Sequence, residues 1–149
     1  MKNLLLFLAV VLSLSSCSSN DDNELGETSV TGEWKLIRIT GNNMEWTGED
    51  MDWQETYLIR ADGTFKKTRI QDKESVTAEG TYTIMEEAVT ADSNIKLHLT
   101  MLFDTQSPII ASCYSASLKK EYLFITLNGL LKSTYNQCDG PGLEYRRTN

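Results

Sequence analysis

The run IKLHLTMLF, residues 95–103, decides the fold class of this chain. Its largest apolar side chains share the odd-numbered positions: Ile95, Leu97, Leu99, Met101 and Phe103. Most of the even-numbered positions carry polar side chains: Lys96, His98, Thr100 and, just after the run, Asp104. An apolar period of two places one face of a strand against a core and the other toward water. The run therefore predicts a half-buried β-strand.

Similar runs, separated by turn signals, lie on both sides of this strand. Asp62-Gly63 falls between two of them and is a strong hairpin signal, and Asn128-Gly129 predicts a second turn. No segment shows the apolar period of about 3.6 residues that marks an amphipathic helix. The predicted strands are 33–40, 54–60, 63–70, 76–84, 95–103, 110–118, 121–128 and 142–147.

These strands predict one all-β domain over residues 31–149, either a barrel or a sandwich. Consecutive hairpins favour an antiparallel, up-and-down, eight-stranded barrel, because closure removes exposed strand edges. The size of the chain fits a single domain with a real core.

The N-terminal residues predict export and a lipid anchor. Lys2 precedes an uncharged apolar run at residues 4–14, which is typical of a signal peptide and too short to span a bilayer. Leu14-Ser15-Ser16-Cys17 resembles a lipobox. This resemblance implies that residues 1–16 are removed and that Cys17 becomes the acylated first residue, tethered to a membrane without a transmembrane helix.

Residues 17–30 are polar and acidic, and we interpret them as a flexible tether between the anchor and the domain. Asp21, Asp22 and Glu24 resemble the acidic sorting signals of surface-exposed lipoproteins, although plain solubility would also explain them. Ser18, directly after the cysteine, resembles lipoproteins released to the outer membrane. The expected location is the outer membrane, with exposure at the cell surface.

Charge and cysteine content narrow the classes of partner. The chain has a net charge of −7 and no basic cluster, which argues against binding to nucleic acid. Cys113 and Cys138 are the pair left after Cys17, so export to an oxidising compartment predicts a disulfide, with two buried thiols as the alternative. Two distant cysteines lack the further ligands that zinc requires, so no metal site is expected.

Several short motifs resemble those of bacterial lipocalin-like domain lipoproteins. The first is Gly32-Glu33-Trp34, a G-x-W at the opening of the first strand. The others are residues 61–65 (ADGTF), 80–82 (GTY) and 138–147 (CDGPGLEYRR).

This resemblance implies a barrel with a cavity, and it implies no particular ligand. It also implies that an arginine late in the chain packs on the first-strand tryptophan, Trp34. Arg146 or Arg147 is placed to do so, with its cation on the indole face at the closed end of the barrel.

The candidate ligand-binding residues lie on the connection after the first strand, residues 41–53. Met44, Trp46, Met51 and Trp53 are large apolar side chains on a loop, and they predict either a lid that touches a ligand or a plug in the core. Lys67 and Arg69 share a strand face with Phe65. They point either into a cavity, where they would meet an anionic group, or to solvent.

Catalysis is not expected. His98 is the only histidine and falls on the polar face of its strand, and no nucleophile elbow, phosphate loop or zinc-protease motif occurs. Neither catalytic residues nor a cofactor is predicted. The predicted function is non-catalytic binding of a small, partly apolar ligand. The alternative is an interaction module with a filled barrel that docks another envelope protein, and a hollow or filled interior distinguishes the two.

Overall fold

The computed structural model describes residues 30–86, 93–113 and 119–148, which form strands joined by turns and two short 3₁₀ helices. The strands are β1 (Gly32–Gly41), β2 (Met44–Thr47), β3 (Gln54–Ile59), β4 (Thr64–Gln71), β5 (Glu74–Glu86), β6 (Ile95–Phe103), β7 (Lys120–Thr126), β8 (Leu131–Ser133) and β9 (Gly142–Thr148). The 3₁₀ helices are Gly48–Asp50 and Tyr135–Cys138. Among the described residues, no helix has the length and apolar character needed to cross a membrane.

The strands close into an antiparallel barrel. β1 and β3 to β9 pair in sequence order, and β9 returns to pair with β1, so eight strands form the closed wall. This arrangement confirms the predicted all-β, up-and-down, eight-stranded barrel.

One edge of β1 pairs with β9, and the other edge is shared by two strands. β3 pairs with its first half and β2 with its second half, and the 3₁₀ helix Gly48–Asp50 lies between them in the chain. The predicted long connection, residues 41–53, is therefore mostly ordered and adds a short strand to the rim. We call this end of the barrel the mouth, and the end that holds residues 30–31 the closed end.

β5 changes partners halfway along its length. Its first half pairs with β4 and its second half with β6, and Gly80 lies at the changeover. A Cβ atom at Gly80 would lie 2.0 Å from the carbonyl oxygen of Leu102, so only glycine lets the two backbones approach this closely.

The inner faces of the strands form the core. In β6 the side chains of Leu97, Leu99, Met101 and Phe103 are buried, as their alternation predicts. Phe65 packs edge-to-face on Phe103 with 4.9 Å between the ring centroids. Such pairs stabilise the fold by about 0.5–1.5 kcal/mol beyond the area that they bury.

Ion pairs on the outer wall connect the strands at which the barrel closes. The carboxylate of Glu144 in β9 is paired with Arg38 in β1 and with Lys132 in β8. Burial raises the pKa of Glu144, but the hydrogen bonds from Lys132 and Arg38 outweigh it and hold the pKa below its usual value. The charged carboxylate therefore favours the closed arrangement.

Two details of the predicted strand order are wrong. Residues 110–113 of the predicted strand 110–118 lie outside any strand, and residues 114–118 lie outside the described residues. The eighth strand of the barrel is instead β8, which is too short to show an apolar period. The predicted turns at Asp62-Gly63 and Asn128-Gly129 are confirmed, and Gly63 and Gly129 both have a positive φ.

The predicted signal peptide (residues 1–16), the lipidation site Cys17 and most of the tether (residues 17–30) lie outside the described residues. The exception is Val30, which is buried and whose carbonyl oxygen accepts a hydrogen bond from the indole nitrogen of Trp34. Val30, the last residue of the predicted tether, thus packs with the barrel.

Candidate functional site

Residues 109–111 close the mouth of the barrel, and we call them the mouth plug. Ile109, Ile110 and Ala111 are all buried and belong to the core cluster. The backbone N–H of Ala111 donates a hydrogen bond to Oε1 of Glu121, a fully buried residue of β7. This inward turn of the chain is the physical reason why residues 110–113 do not form the predicted strand.

A disulfide holds the end of the mouth plug to the opposite rim. Cys113 follows the plug and is bonded to Cys138, the last residue of the second 3₁₀ helix. The predicted pairing is therefore confirmed. It joins the plug to the chain that leads into β9.

Beneath the plug, the barrel interior contains ionised side chains paired with one another. The ammonium group of Lys67 is fully buried, and its nitrogen lies 3.0 Å from Oε1 of Glu55 and 2.6 Å from Oε1 of Glu121. Removing such charges from water costs several kcal/mol per ion, so they persist only where they are paired and hydrogen-bonded. We call Lys67, Glu55 and Glu121, together with the two tyrosines described next, the buried ion network.

Two buried tyrosines complete the hydrogen bonding of the carboxylates. The hydroxyl of Tyr57 donates to Glu121, and that of Tyr145 donates to Oε1 of Glu55 at 2.5 Å. Burial and, secondarily, the nearby carboxylates raise the pKa of both hydroxyls well above the usual value of 10.0. Both phenols therefore remain protonated and act as donors.

Arg69 connects the buried ion network to the mouth. Its Nε lies 2.7 Å from Oε2 of Glu55, and its guanidinium carbon lies 4.7 Å from the ring centroid of Trp53. With Arg69 included, two cations balance the two carboxylates. The formal charges of these four residues thus balance, and the protein's own side chains occupy this part of the interior.

Lys67 and Arg69 point inward, as one of the two sequence interpretations predicts, but the anionic groups that they meet are Glu55 and Glu121. Neither cation lines the cleft at the mouth described below. Their charges are already compensated, so an anionic ligand would have to displace a carboxylate of the protein.

An open cleft of about 690 Å³ lies at the mouth, outside the buried ion network. One wall is the β1–β2 hairpin and Trp46, the floor includes Asp52 and Trp53, and the other wall is formed by Asn136 and residues 139–141. The volume falls within the range of small-molecule sites, which is about 300–1,000 Å³. We call it the mouth cleft.

The hairpin wall of the mouth cleft is preorganised by its turn. Asn42 and Asn43 have φ values of 51° and 60°, which a two-residue loop between twisted strands requires and which asparagine tolerates. Met44 follows them and is 56% exposed, whereas Trp46 is partly buried against the core. The hairpin therefore contributes Asn42, Asn43 and part of Trp46 to the cleft lining on a frame set by its turn.

The opposite wall is held by close packing. A Cβ atom at Gly140 would lie 2.4 Å from the ring of Tyr135, so any other residue at this position would clash with the ring. Cys138 lies within this wall, and its disulfide fixes the wall to the mouth plug. The turn of the hairpin, this packing and the disulfide thus hold the two walls in place.

The structure brings together three of the four predicted apolar ligand residues. Met44, Trp46 and Trp53 line the mouth cleft, and the buried Met51 instead borders a separate groove of about 670 Å³ beside Leu36. Nε1 of Trp53 is buried with no hydrogen-bond partner among the described residues. An unpaired buried donor costs about 1–3 kcal/mol, so an acceptor that reached this nitrogen would be favourable.

At the closed end, Trp34 is 2% exposed and carries a cation on its ring. The guanidinium carbon of Arg147 lies 5.0 Å from the ring centroid of Trp34. The sequence predicts that Arg146 or Arg147 packs on Trp34. Arg147 is the one that does so, while Arg146 is exposed on the outer wall of β9.

Sequence reasoning missed the carboxylates and tyrosines of the buried ion network. The spacing of two residues along each strand contains the signal. Glu55 and Tyr57 lie on the same face as Ile59, and Glu121 lies on the same face as Leu123 and Ile125. Strand parity predicts which face a residue occupies. It does not predict that residues from different strands meet.

No protein-family model matches this chain, and no curated protein sequence is detectably similar to it. Function is therefore inferred from the chemistry of the site itself.

Proposed function

We propose that this protein is a non-catalytic binding protein whose site is the mouth cleft. The observation that carries the proposal is that Trp46 and Trp53 both line one cleft of about 690 Å³. The expected ligand is small, partly apolar and without negative charge, because the described residues of the lining include Asp52 and Asp139 but no lysine, arginine or histidine. Catalysis has little support, since His98 pairs with Phe124 on the outer wall, away from the cleft.

We further propose that the domain is a lipocalin-like lipoprotein anchored to the outer membrane through acylated Cys17. The lipobox-like residues 14–17 support this proposal. Full-length protein should incorporate an alkyne-labelled palmitate, and Cys17→Ala should abolish that label. Equal labelling of the two proteins would contradict the anchor.

Tryptophan fluorescence tests binding to the mouth cleft. Full-length protein in phosphatidylcholine vesicles is titrated with three uncharged probes: n-butyl β-glucoside, diethylene glycol monobutyl ether and a mixture of maltohexaose and cellohexaose. At least one probe should give a saturable response, since Trp46 and Trp53 line the cleft. Trp46→Ala should weaken binding of that probe by at least about tenfold, or about 1.4 kcal/mol.

The matched control is Met85→Ala, which removes an exposed side chain from the outer wall of β5. This variant should bind like the original protein. No saturable response to any of the three probes would contradict ligand binding at the cleft.

The second candidate function is a protein-interaction module. Its specific support is the interior, where the buried ion network and the mouth plug occupy the space that a ligand would need. Met85, Leu102 and Tyr122 add exposed apolar area on the outer wall of β5 to β7. If all three probes fail, docking of another envelope protein on this wall becomes the leading function.

A further inference from the structure

The polar lining of the mouth cleft indicates the chemical class of its ligand. The lining contains three asparagines, Asn42, Asn43 and Asn136, and two aspartates, Asp52 and Asp139. From this lining we infer that the mouth cleft recognises a neutral saccharide. The inference rests on the proposed function, because it names the ligand class of the same site.

The amides favour a ligand that both donates and accepts hydrogen bonds. Each asparagine side chain offers two N–H donors and one carbonyl acceptor, and each sugar hydroxyl can fill either role. A purely apolar ligand would desolvate Asn42, Asn43 and Asn136 without replacing their hydrogen bonds to water, which is costly. A quaternary ammonium ion would have the same defect, since it carries no hydroxyl or acceptor for them.

Trp46 and Trp53 add aromatic surface to the lining, and the guanidinium group of Arg69 covers one face of Trp53. The face of an indole ring carries partial negative charge. The C–H groups of a pyranose are polarised positively by their neighbouring oxygens, so they pack favourably on such a face. The buried Nε1–H of Trp53 lacks an acceptor among the described residues, and a sugar oxygen that reached it would supply one.

Charge distinguishes neutral saccharides from acidic ones. Asp52 and Asp139 repel a uronate or sulfate group, and the nearest cation of the network, Arg69, is paired with Glu55. The two carboxylates are well suited to accept hydrogen bonds from hydroxyl groups, and such charge-assisted bonds are stronger than neutral ones.

The fixed walls support recognition of a flexible, hydrated ligand. Binding is weakened by the entropy lost when loops and side chains become ordered. Here the Asn42–Asn43 turn, the packing of Gly140 on Tyr135 and the Cys113–Cys138 disulfide already fix both walls. The remaining ordering cost falls mainly on the ligand.

The test compares separate probes on full-length protein in phosphatidylcholine vesicles. Maltohexaose and cellohexaose, now titrated individually, and n-butyl β-glucoside represent neutral sugars. Diethylene glycol monobutyl ether carries the same alkyl chain without a sugar ring, tetramethylammonium chloride represents cations, and a hexamer of galacturonate represents acidic sugars. At least one neutral sugar should bind at least about tenfold more tightly than each of these three comparison compounds.

Asn43→Gly is the matched variant. It removes one amide and keeps a residue that adopts positive φ without strain. It should weaken binding of the neutral sugar about five- to tenfold and leave the thermal unfolding midpoint unchanged. Asn136→Ala changes an exposed residue of the opposite wall and should also weaken binding of the neutral sugar about five- to tenfold. This variant replaces Asn43→Gly in the test if the turn variant loses stability.

The outcomes separate this inference from the proposed function. If the glycol ether binds with Trp46 dependence and no neutral sugar does, the saccharide inference is overturned and ligand binding at the cleft stands. Binding of tetramethylammonium alone overturns the inference and also contradicts a site for uncharged ligands. Tighter binding of the galacturonate hexamer, or unchanged sugar affinity in both asparagine variants, also overturns it. If nothing binds, the proposed function itself fails.

Discussion

Lys67→Met is expected to lower the free energy of unfolding by about 3–5 kcal/mol. The substitution leaves a side chain of similar length but removes the cation that lies 3.0 Å from Glu55 and 2.6 Å from Glu121. Glu55 would keep its pair with Arg69, but Glu121 would lose the cation that compensates it, and an uncompensated buried charge is strongly destabilising. Urea unfolding monitored by circular dichroism measures the change.

Lys66→Met provides the matched control, because Lys66 is the neighbouring residue on the same strand. Its side chain is 39% exposed and its nearest carboxylate, Glu79, lies at 4.0 Å. Exposed pairs of this kind contribute little, so the change should stay within about 0.5 kcal/mol. Equal effects of the two substitutions would contradict a stabilising role for the buried cation.

A double variant tests the charge balance directly. Adding Glu121→Gln to Lys67→Met leaves Glu55 paired with Arg69, so the formal charges of the interior balance again. The double variant should therefore be more stable than the sum of the two single changes predicts. Simple additivity would show that the residues act through packing rather than through charge.

Trp34→Ala should lower the free energy of unfolding by about 3–5 kcal/mol, as expected for a large buried aromatic residue. Trp34 is 2% exposed, donates a hydrogen bond of 2.8 Å to the carbonyl oxygen of Val30 and carries Arg147 on its ring. The substitution removes the buried packing, the hydrogen bond and the contact with Arg147 together, and it leaves a cavity at the closed end of the barrel.

Trp46→Ala and Trp53→Ala, measured in the same urea titrations, should have clearly smaller effects of about 1–2 kcal/mol. Their side chains are only partly buried and border the mouth cleft. If either substitution destabilises the domain as much as Trp34→Ala does, that tryptophan belongs to the core. The mouth cleft would then lose its role as the binding site.

The sequence alone determined the fold class and much of the barrel wall. Alternation in residues 95–103 depends only on the geometry of a strand. Of the apolar face that it predicts in β6, Leu97, Leu99, Met101 and Phe103 are buried, and Ile95 at the start of the strand is partly buried. The turns at Asp62-Gly63 and Asn128-Gly129 depend on local backbone preferences. The disulfide between Cys113 and Cys138 followed from the number of cysteines and the predicted compartment.

Only the tertiary structure decided what the interior contains. Lys67 meets Glu121 across 54 positions of sequence, and Tyr145 meets Glu55 across 90. Strand parity places each of these residues on the inner face, but their contacts depend on barrel closure and on the stagger of the strands. The same holds for β8, which has three residues and is held by pairing with β7 and β9.

The candidate site likewise contains residues that the sequence indicates and residues that only the tertiary structure brings to the cleft. Met44, Trp46 and Trp53 could be singled out from sequence, because large apolar residues on a connection must cover something. Asn136 and Asp139 could not, since they approach the hairpin only after β9 has paired with β1. A period of two is a property of one strand, whereas a cleft between two loops exists only once the sheet has closed.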